Sequence, residues 1–145
     1  MEIAEISVSY STSKEEKLKV TKSKDSYDIL ISNWNKNTLE LQEEFKILLL
    51  NRNNKVLGIY PISRGGTAGT VVDVKLVFSV ALKCNASSII ICHNHPSGNL
   101  NPSESDKVMT EKLRKAGGYL DIALLDHIII TKYGFFSFAD EGLIR

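Results

Sequence analysis

The run from Ala86 to His95 restricts what this chain can become more than any other stretch: Ala86-Ser87-Ser88-Ile89-Ile90-Ile91, then Cys92-His93-Asn94-His95-Pro96-Ser97-Gly98. The short apolar run reads as a buried strand. Pro96 ends it, because proline has no N–H to give to a ladder. Side chains alternate across a strand, so His93 and His95 share one face while Cys92 and Asn94 point to the other. Two imidazoles at i and i+2 on a strand end can present nitrogens to one small volume. That is a metal-ligand arrangement, with zinc–nitrogen bonds of about 2.0–2.1 Å.

The next segment supplies a third ligand. Pro102 and Ser103 precede a helical run from Glu104 to about Ala116, with Ser103 reading as the N-cap. Asp106 sits in the first turn, where the helix dipole favours a carboxylate. The connecting loop is short enough to bring it back over the histidines. Two histidines and an aspartate with a fourth position open are the pattern of a catalytic zinc, not a closed structural one.

The remaining sequence frames this centre. A chain of 145 residues suits one domain with a real core. The net charge of +1 offers no electrostatic case for strong nucleic-acid binding. No apolar run is long enough to span a membrane, and Met1 to Glu5 has no signal-peptide character. The expectation is a cytoplasmic protein, in which Cys84 and Cys92 are reduced thiols.

In order, Met1–Tyr10 reads as a strand, and Ser11–Lys24 as a solvated loop around a short Leu18–Val20 strand. Ser23–Trp34 reads as a helix capped by Ser23 or Asp25, with Tyr27, Leu30, Ile31 and Trp34 at helical spacing. Phe45–Leu50 and Val56–Ile62 form a hairpin across the Asn51–Lys55 turn. Ser63 to Gly69 is a Gly-rich connection without a phosphate-binding or dinucleotide fingerprint, read as a loop bordering the cleft. Asp73–Cys84 is a helix burying Val74, Val77, Phe78, Ala81 and Leu82. After the central motif, Val108, Met109, Leu113 and Ala116 form the apolar stripe of the next helix, which Gly117-Gly118 terminates. Ile122–Thr131 is a strand containing Asp126-His127, and Phe135–Phe138 a shorter one. His127 is either a further ligand or proton shuttle, or a structural histidine hydrogen-bonded near Asp126; the second reading is preferred.

The string His93-x-His95-Pro96, with Ser103-x-x-Asp106 and ten residues between His95 and Asp106, resembles the JAMM signature of the MPN/JAB metallopeptidase superfamily. The wider string from His93 to Gly98, Pro102-Ser103, and Leu125-Asp126-His127-Ile128-Ile129-Ile130 are similar to its RadC-like branch. The resemblance covers about Ser23 to the C-terminus, leaving residues 1–22 as an N-terminal strand and polar segment before a domain over 23–145. It implies an α/β fold, a single MPN/JAB-type domain with a mixed central sheet flanked by helices. One departure is Val72-Asp73-Val74-Lys75, where the branch often shows a His-Pro-Arg-Glu-like string.

By the same resemblance, zinc would be held by His93, His95 and Asp106, and a glutamate just before the first sheet strand would act on a water. Glu43 and Glu44 are both placed for that. The branch's usual spacing to Phe45 and strand alternation favour Glu43. Ser103 is the position the superfamily uses to hydrogen-bond an oxyanion. The implied activity is a zinc-dependent hydrolase, a metallopeptidase or isopeptidase, with a peptide or isopeptide substrate. Two alternatives come from other classes. One is the DNA-repair association by which RadC-like proteins are labelled, with nucleic acid as partner. The other is a non-catalytic MPN scaffold. A Cys92–His93 nucleophile pair is disfavoured, since alternation points the two side chains apart. A zinc deaminase is excluded because His-x-Glu and Pro-Cys-x-x-Cys are absent.

Overall fold

A computed structural model of the chain describes residues 1–12, 16–65 and 71–144. The elements in order are α1 (Ser23–Ser32), β1 (Glu44–Leu50), β2 (Val56–Arg64), α2 (Val74–Lys83), β3 (Ser88–Asn94), α3 (Glu104–Tyr119), β4 (Ala123–Thr131) and β5 (Gly134–Ser137). The five strands form one sheet in the order β2-β1-β3-β4-β5. β1 runs antiparallel to β2 and β3, β3 is parallel to β4, and β4 is antiparallel to β5. The sheet is therefore mixed. The one parallel pair is joined by a helix, α3, because parallel strands need a crossover.

Two apolar layers cover the sheet. Phe45, Ile47, Leu49, Ile89, Ile91 and Leu124 pack under Val77, Phe78, Ala81 of α2 and Leu113 of α3. Leu48, Leu50, Ile90, Cys92, Ile128 and Ile130 pack under Leu30 of α1, with Trp34 and Leu39 just beyond it. β3 is buried at every position, so its side chains alternate between two cores and not between core and water. Cys92 lies in the α1-side core, away from His93, and burial pushes its thiol well up. The Cys–His nucleophile pair is thereby excluded.

Several expectations are corrected. Met1–Tyr10 forms no strand; Ile3 and Ile6 are exposed, and the Tyr10 hydroxyl meets the sheet edge, donating to Leu57 O at 3.0 Å. Leu18–Val20 contributes one isolated bridge, Lys19 to Lys55, with Val20 buried beside it. The α1 cap is Lys22, and Asp25 instead accepts hydrogen bonds from the Thr21 and Lys22 amides. Leu82 of α2 is 54% exposed. The Gly-rich connection lies largely outside the described residues, at 66–70.

The end of α3 also differs. The helix runs through Gly117 and Gly118 to Tyr119. It stops where Asp121 adopts φ 56°, with Ile122 N–H donating to Gly117 O at 2.8 Å and Asp121 N–H to Gly118 O at 3.4 Å. That is a Schellman pattern with Asp121 in the left-handed position usually given to glycine. Gly117 serves a different purpose. A Cβ there would lie 2.3 Å from the Ile122 carbonyl oxygen, so the glycine permits the chain to fold back tightly into β4.

Candidate metal centre

β3 delivers His93 as its penultimate residue, and His95 follows just past the strand, still tied to the sheet by its N–H to Ile130 O at 3.0 Å. The chain then turns at Gly98, whose φ is 86°, and enters α3. Ser103 caps that helix as its spacing implies. Its hydroxyl accepts from Asp106 N–H at 3.0 Å, and the Asp106 carboxylate accepts from Ser103 N–H at 2.9 Å. This reciprocal box fixes the Asp106 side chain as firmly as it fixes the helix start.

The three side chains converge. His93 Nε2 lies 2.8 Å from His95 Nε2, and the Asp106 carboxylate lies 3.4 Å from His93 Nε2 and 3.3 Å from His95 Nε2. Among the described residues this is the group whose donors could hold a metal ion. Bonds of 2.0–2.1 Å in a tetrahedron put neighbouring ligand atoms about 3.3–3.4 Å apart. The two contacts end on different carboxylate oxygens, Oδ1 toward His93 and Oδ2 toward His95, and the imidazole pair is closer than such an edge, so the three side chains need small shifts to close on one ion. The donor set fits zinc.

Electrostatics agree. Burial opposes charge on Asp106, but its close contacts with His93 and His95 outweigh it and hold the carboxyl far below the usual carboxylate range. Burial likewise works against a charged His95, yet its bonds to the Asp106 carboxylate and the Asn99 carbonyl raise it above the ordinary imidazole value. Negative charge held among buried donors is what a cation requires.

Glu43 and Glu44 are separated by strand alternation. Glu43 lines a cleft of about 330 Å³ together with Phe45, His93, Asp106 and Met109. Glu44 faces the opposite side, is buried, and is paired to Arg64 through Oε1 at 2.8 Å. Val108 belongs to the cleft as well; it is 68% exposed, not part of a buried stripe. Helix α3 buries Thr110, Leu113 and Gly117.

Two residues near the centre carry more than their sequence context suggested. Asn94, fully buried, donates to Leu39 O at 2.7 Å and Gln42 O at 2.9 Å and accepts from Glu44 N–H at 2.7 Å. It clamps the segment bearing Glu43 onto β3. The only prior signal was its polar side chain on the strand face opposite the histidines. His127 is not in the ligand group. Its ring contacts His93 Nδ1 at 2.7 Å and Thr110 Oγ1 at 2.6 Å, not the Asp126 carboxylate. Burial pushes its imidazole well below the ordinary value, and the neighbouring His93 adds to that. A one-residue register shift puts it there. Ile89 pairs with Leu124 but Ile90 pairs with Asp126, so Leu125 is an extra residue in β4. The shift turns His127 onto the face of Leu124 and His93. Asp126 faces the other way, accepting from Ser137 Oγ at 2.7 Å and from Ala139 N–H at 3.0 Å.

No helix among the described residues is long and apolar enough to cross a membrane. Residues 20–143 match the RadC-like JAB domain. The chain is 49% identical over 126 residues to a UPF0758 protein of Flavobacterium johnsoniae, covering 86% of this chain and 53% of that protein. It is 47% identical over 104 residues to one of Porphyromonas gingivalis (71% and 46%) and 39% identical over 127 residues to one of Clostridium beijerinckii (88% and 54%). The chain thus spans about half the length of these relatives. A mixed sheet between helix layers, a His-His-Asp group at the end of its central strand, and a match over most of the sequence agree: this chain belongs to the RadC-like JAB domain family.

Proposed function

We propose that this chain is a zinc-dependent hydrolase of peptide or isopeptide bonds. One observation carries the reading: His93 Nε2, His95 Nε2 and the Asp106 carboxylate converge to within 3.4 Å of one another, beside the cleft that His93 and Asp106 line together with Glu43. His93, His95 and Asp106 would hold the zinc, which when bound acidifies water and polarises a carbonyl.

The protein's own residues supply the rest. Glu43 receives the proton of the attacking water and returns it to the leaving amine, a role that needs an unpaired carboxylate facing the cleft. Glu44 is unsuited to it because Arg64 occupies its Oε1. Ser103 Oγ accepts from Asp106 N–H, which leaves its own O–H free to donate to the oxyanion of the tetrahedral intermediate. Phe45, Val72, Val74, Val108 and Met109 give the cleft apolar walls that exclude water from the reacting bond.

The test begins with metal content. About one zinc per chain is expected, and none in a His95→Ala/Asp106→Ala double variant. Screens with peptide and isopeptide libraries follow, using Glu43→Gln as the inactive control. A wild-type protein that takes up no zinc after incubation with it sinks the proposal.

A further inference from the structure

The contacts of His93 continue inward. His93 Nδ1 meets His127 Nε2 at 2.7 Å, His127 Nδ1 meets Thr110 Oγ1 at 2.6 Å, and Thr110 Oγ1 meets the Asp106 carbonyl oxygen at 2.7 Å. The far end of this chain sets its direction. A carbonyl oxygen has no proton to give, so the single proton of the Thr110 hydroxyl goes to Asp106 O. Thr110 Oγ1 then acts toward His127 only as an acceptor, and His127 must carry its proton on Nδ1.

His127 is 0% exposed and packed between aromatic rings: Phe138 is stacked on it with centroids 4.4 Å apart, and Phe45 meets it edge-on at 6.0 Å. Burial among these rings disfavours an imidazolium, and no carboxylate contacts the ring among the described residues. The ring is neutral, and its Nε2 presents a lone pair to His93. His93 must therefore carry its proton on Nδ1, which leaves the Nε2 lone pair facing His95 and Asp106.

We infer that Thr110 and His127 are positioning residues that lock His93 in the Nδ1–H tautomer and so keep its Nε2 ready to bind metal. The inference rests on the zinc reading above for its purpose, but not for its geometry. The other histidine is oriented by a shorter route: His95 Nδ1 donates to the Asn99 carbonyl at 2.6 Å, and its Nε2 meets His93 Nε2 at 2.8 Å and the Asp106 carboxylate at 3.3 Å. The two ligands are thus prepared differently. One is set by a backbone carbonyl at the surface, the other by a buried side-chain relay linking β3, β4 and α3. Asp106 belongs to both ends of that arrangement: its carboxylate completes the ligand triangle and its carbonyl orients the relay. Such outer partners are worth about 10–100-fold in metal affinity.

Ring tautomers are read directly from nitrogen-15 shifts of labelled histidine, and the chain has three histidines to assign. The metal-free protein should show both His93 and His127 protonated at Nδ1. Thr110→Val keeps the shape but removes the anchor. His127 can then turn its proton to Nε2 and donate to His93 Nδ1, which moves the His93 proton onto the ligand nitrogen. Zinc affinity, measured by competition with a chromophoric chelator, should fall about 10–100-fold. Thr110→Ser should restore both tautomers and affinity, which a purely space-filling role for Thr110 would not explain. His127→Phe, which suits the aromatic surroundings, should lose affinity to a similar extent.

Finding His93 protonated at Nε2 in the wild type overturns the inference. So does wild-type zinc affinity in a folded His127→Phe protein. If Thr110→Val does not fold, the wild-type spectrum and the His127→Phe titration still decide. A wild type with the derived tautomers but no zinc uptake would defeat the hydrolase reading and uphold the tautomer assignment.

Discussion

Replacing Gly117 and Gly118 one at a time by alanine sets local helix preference against tertiary packing at two adjacent positions of α3. In a helix interior alanine is favoured over glycine by about 1 kcal/mol. At Gly118 nothing lies within 4 Å of an added Cβ, so Gly118→Ala should gain about 0.5–1 kcal/mol. At Gly117 the added Cβ meets the Ile122 carbonyl oxygen at 2.3 Å and the Phe78 ring at 3.4 Å. The near partner is backbone, already held by the Ile122 N–H bond to Gly117 O, so relief requires moving the entry to β4. Overpacking of that kind costs about 1–3 kcal/mol, and distorting the closing hydrogen bond adds about 1 kcal/mol. After the propensity gain, Gly117→Ala should be destabilised by about 1–3 kcal/mol, lowering Tm by roughly 3–10 °C. Urea unfolding is the assay, with a shifted midpoint and an unchanged slope. A Gly117→Ala protein as stable as Gly118→Ala would refute the reasoning, because it would mean that the close approach of α3 to β4 is not a constraint.

Other perturbations bear on the site. Glu43→Gln should keep its zinc and lose about 10²-fold or more in turnover, while Glu44→Gln should leave turnover nearly unchanged; equal losses in both would contradict the assignment of the base. Asn94→Ala strands one buried N–H and two carbonyls, and should cost about 3–5 kcal/mol in urea unfolding; a cost below about 1 kcal/mol would show that the Glu43 segment is held by something else. Burial raises the folded-state pKa of Asp126, outweighing its hydrogen bonds from Ser137, Ala139 and His127. A raised carboxyl pKa stabilises the fold when protonated, and that contribution is lost as pH rises from about 4 through the folded value. Asp126→Asn should therefore gain stability relative to wild type over that rise, and a difference that stays flat with pH would refute the shift.

Much of the centre was legible because its signals are local. The His93-x-His95 spacing places two rings on one side of a strand whatever the rest of the chain does. The Ser103-x-x-Asp106 box depends on backbone geometry within one helical turn. Strand alternation also separated Glu43 from Glu44 correctly. Local rules misled where a residue type has two uses. Gly117 looked like a helix stop and is instead a point of close approach, while Asp121 takes the left-handed turn. The apolar residues of Met1–Tyr10 looked like a strand, but a strand is made by ladder pairing, and this segment makes none with the sheet.

The sequence by itself determined the His93, His95 and Asp106 triad that could hold a metal, the helix that returns Asp106 to the histidines, and the hairpin that Glu43 precedes. Each follows from backbone periodicity acting over a few residues. Tertiary structure alone decided the support of that triad. The extra residue at Leu125 turns His127 toward His93, and α3 brings Thr110 to the other side of the same ring. Asn94 clamps a segment more than fifty residues earlier in the chain. These contacts join elements far apart in sequence, through a register shift and a crossover that no local pattern encodes. The lone pair on His93 Nε2 is therefore a property of the fold, although the histidine that bears it could be read from the chain.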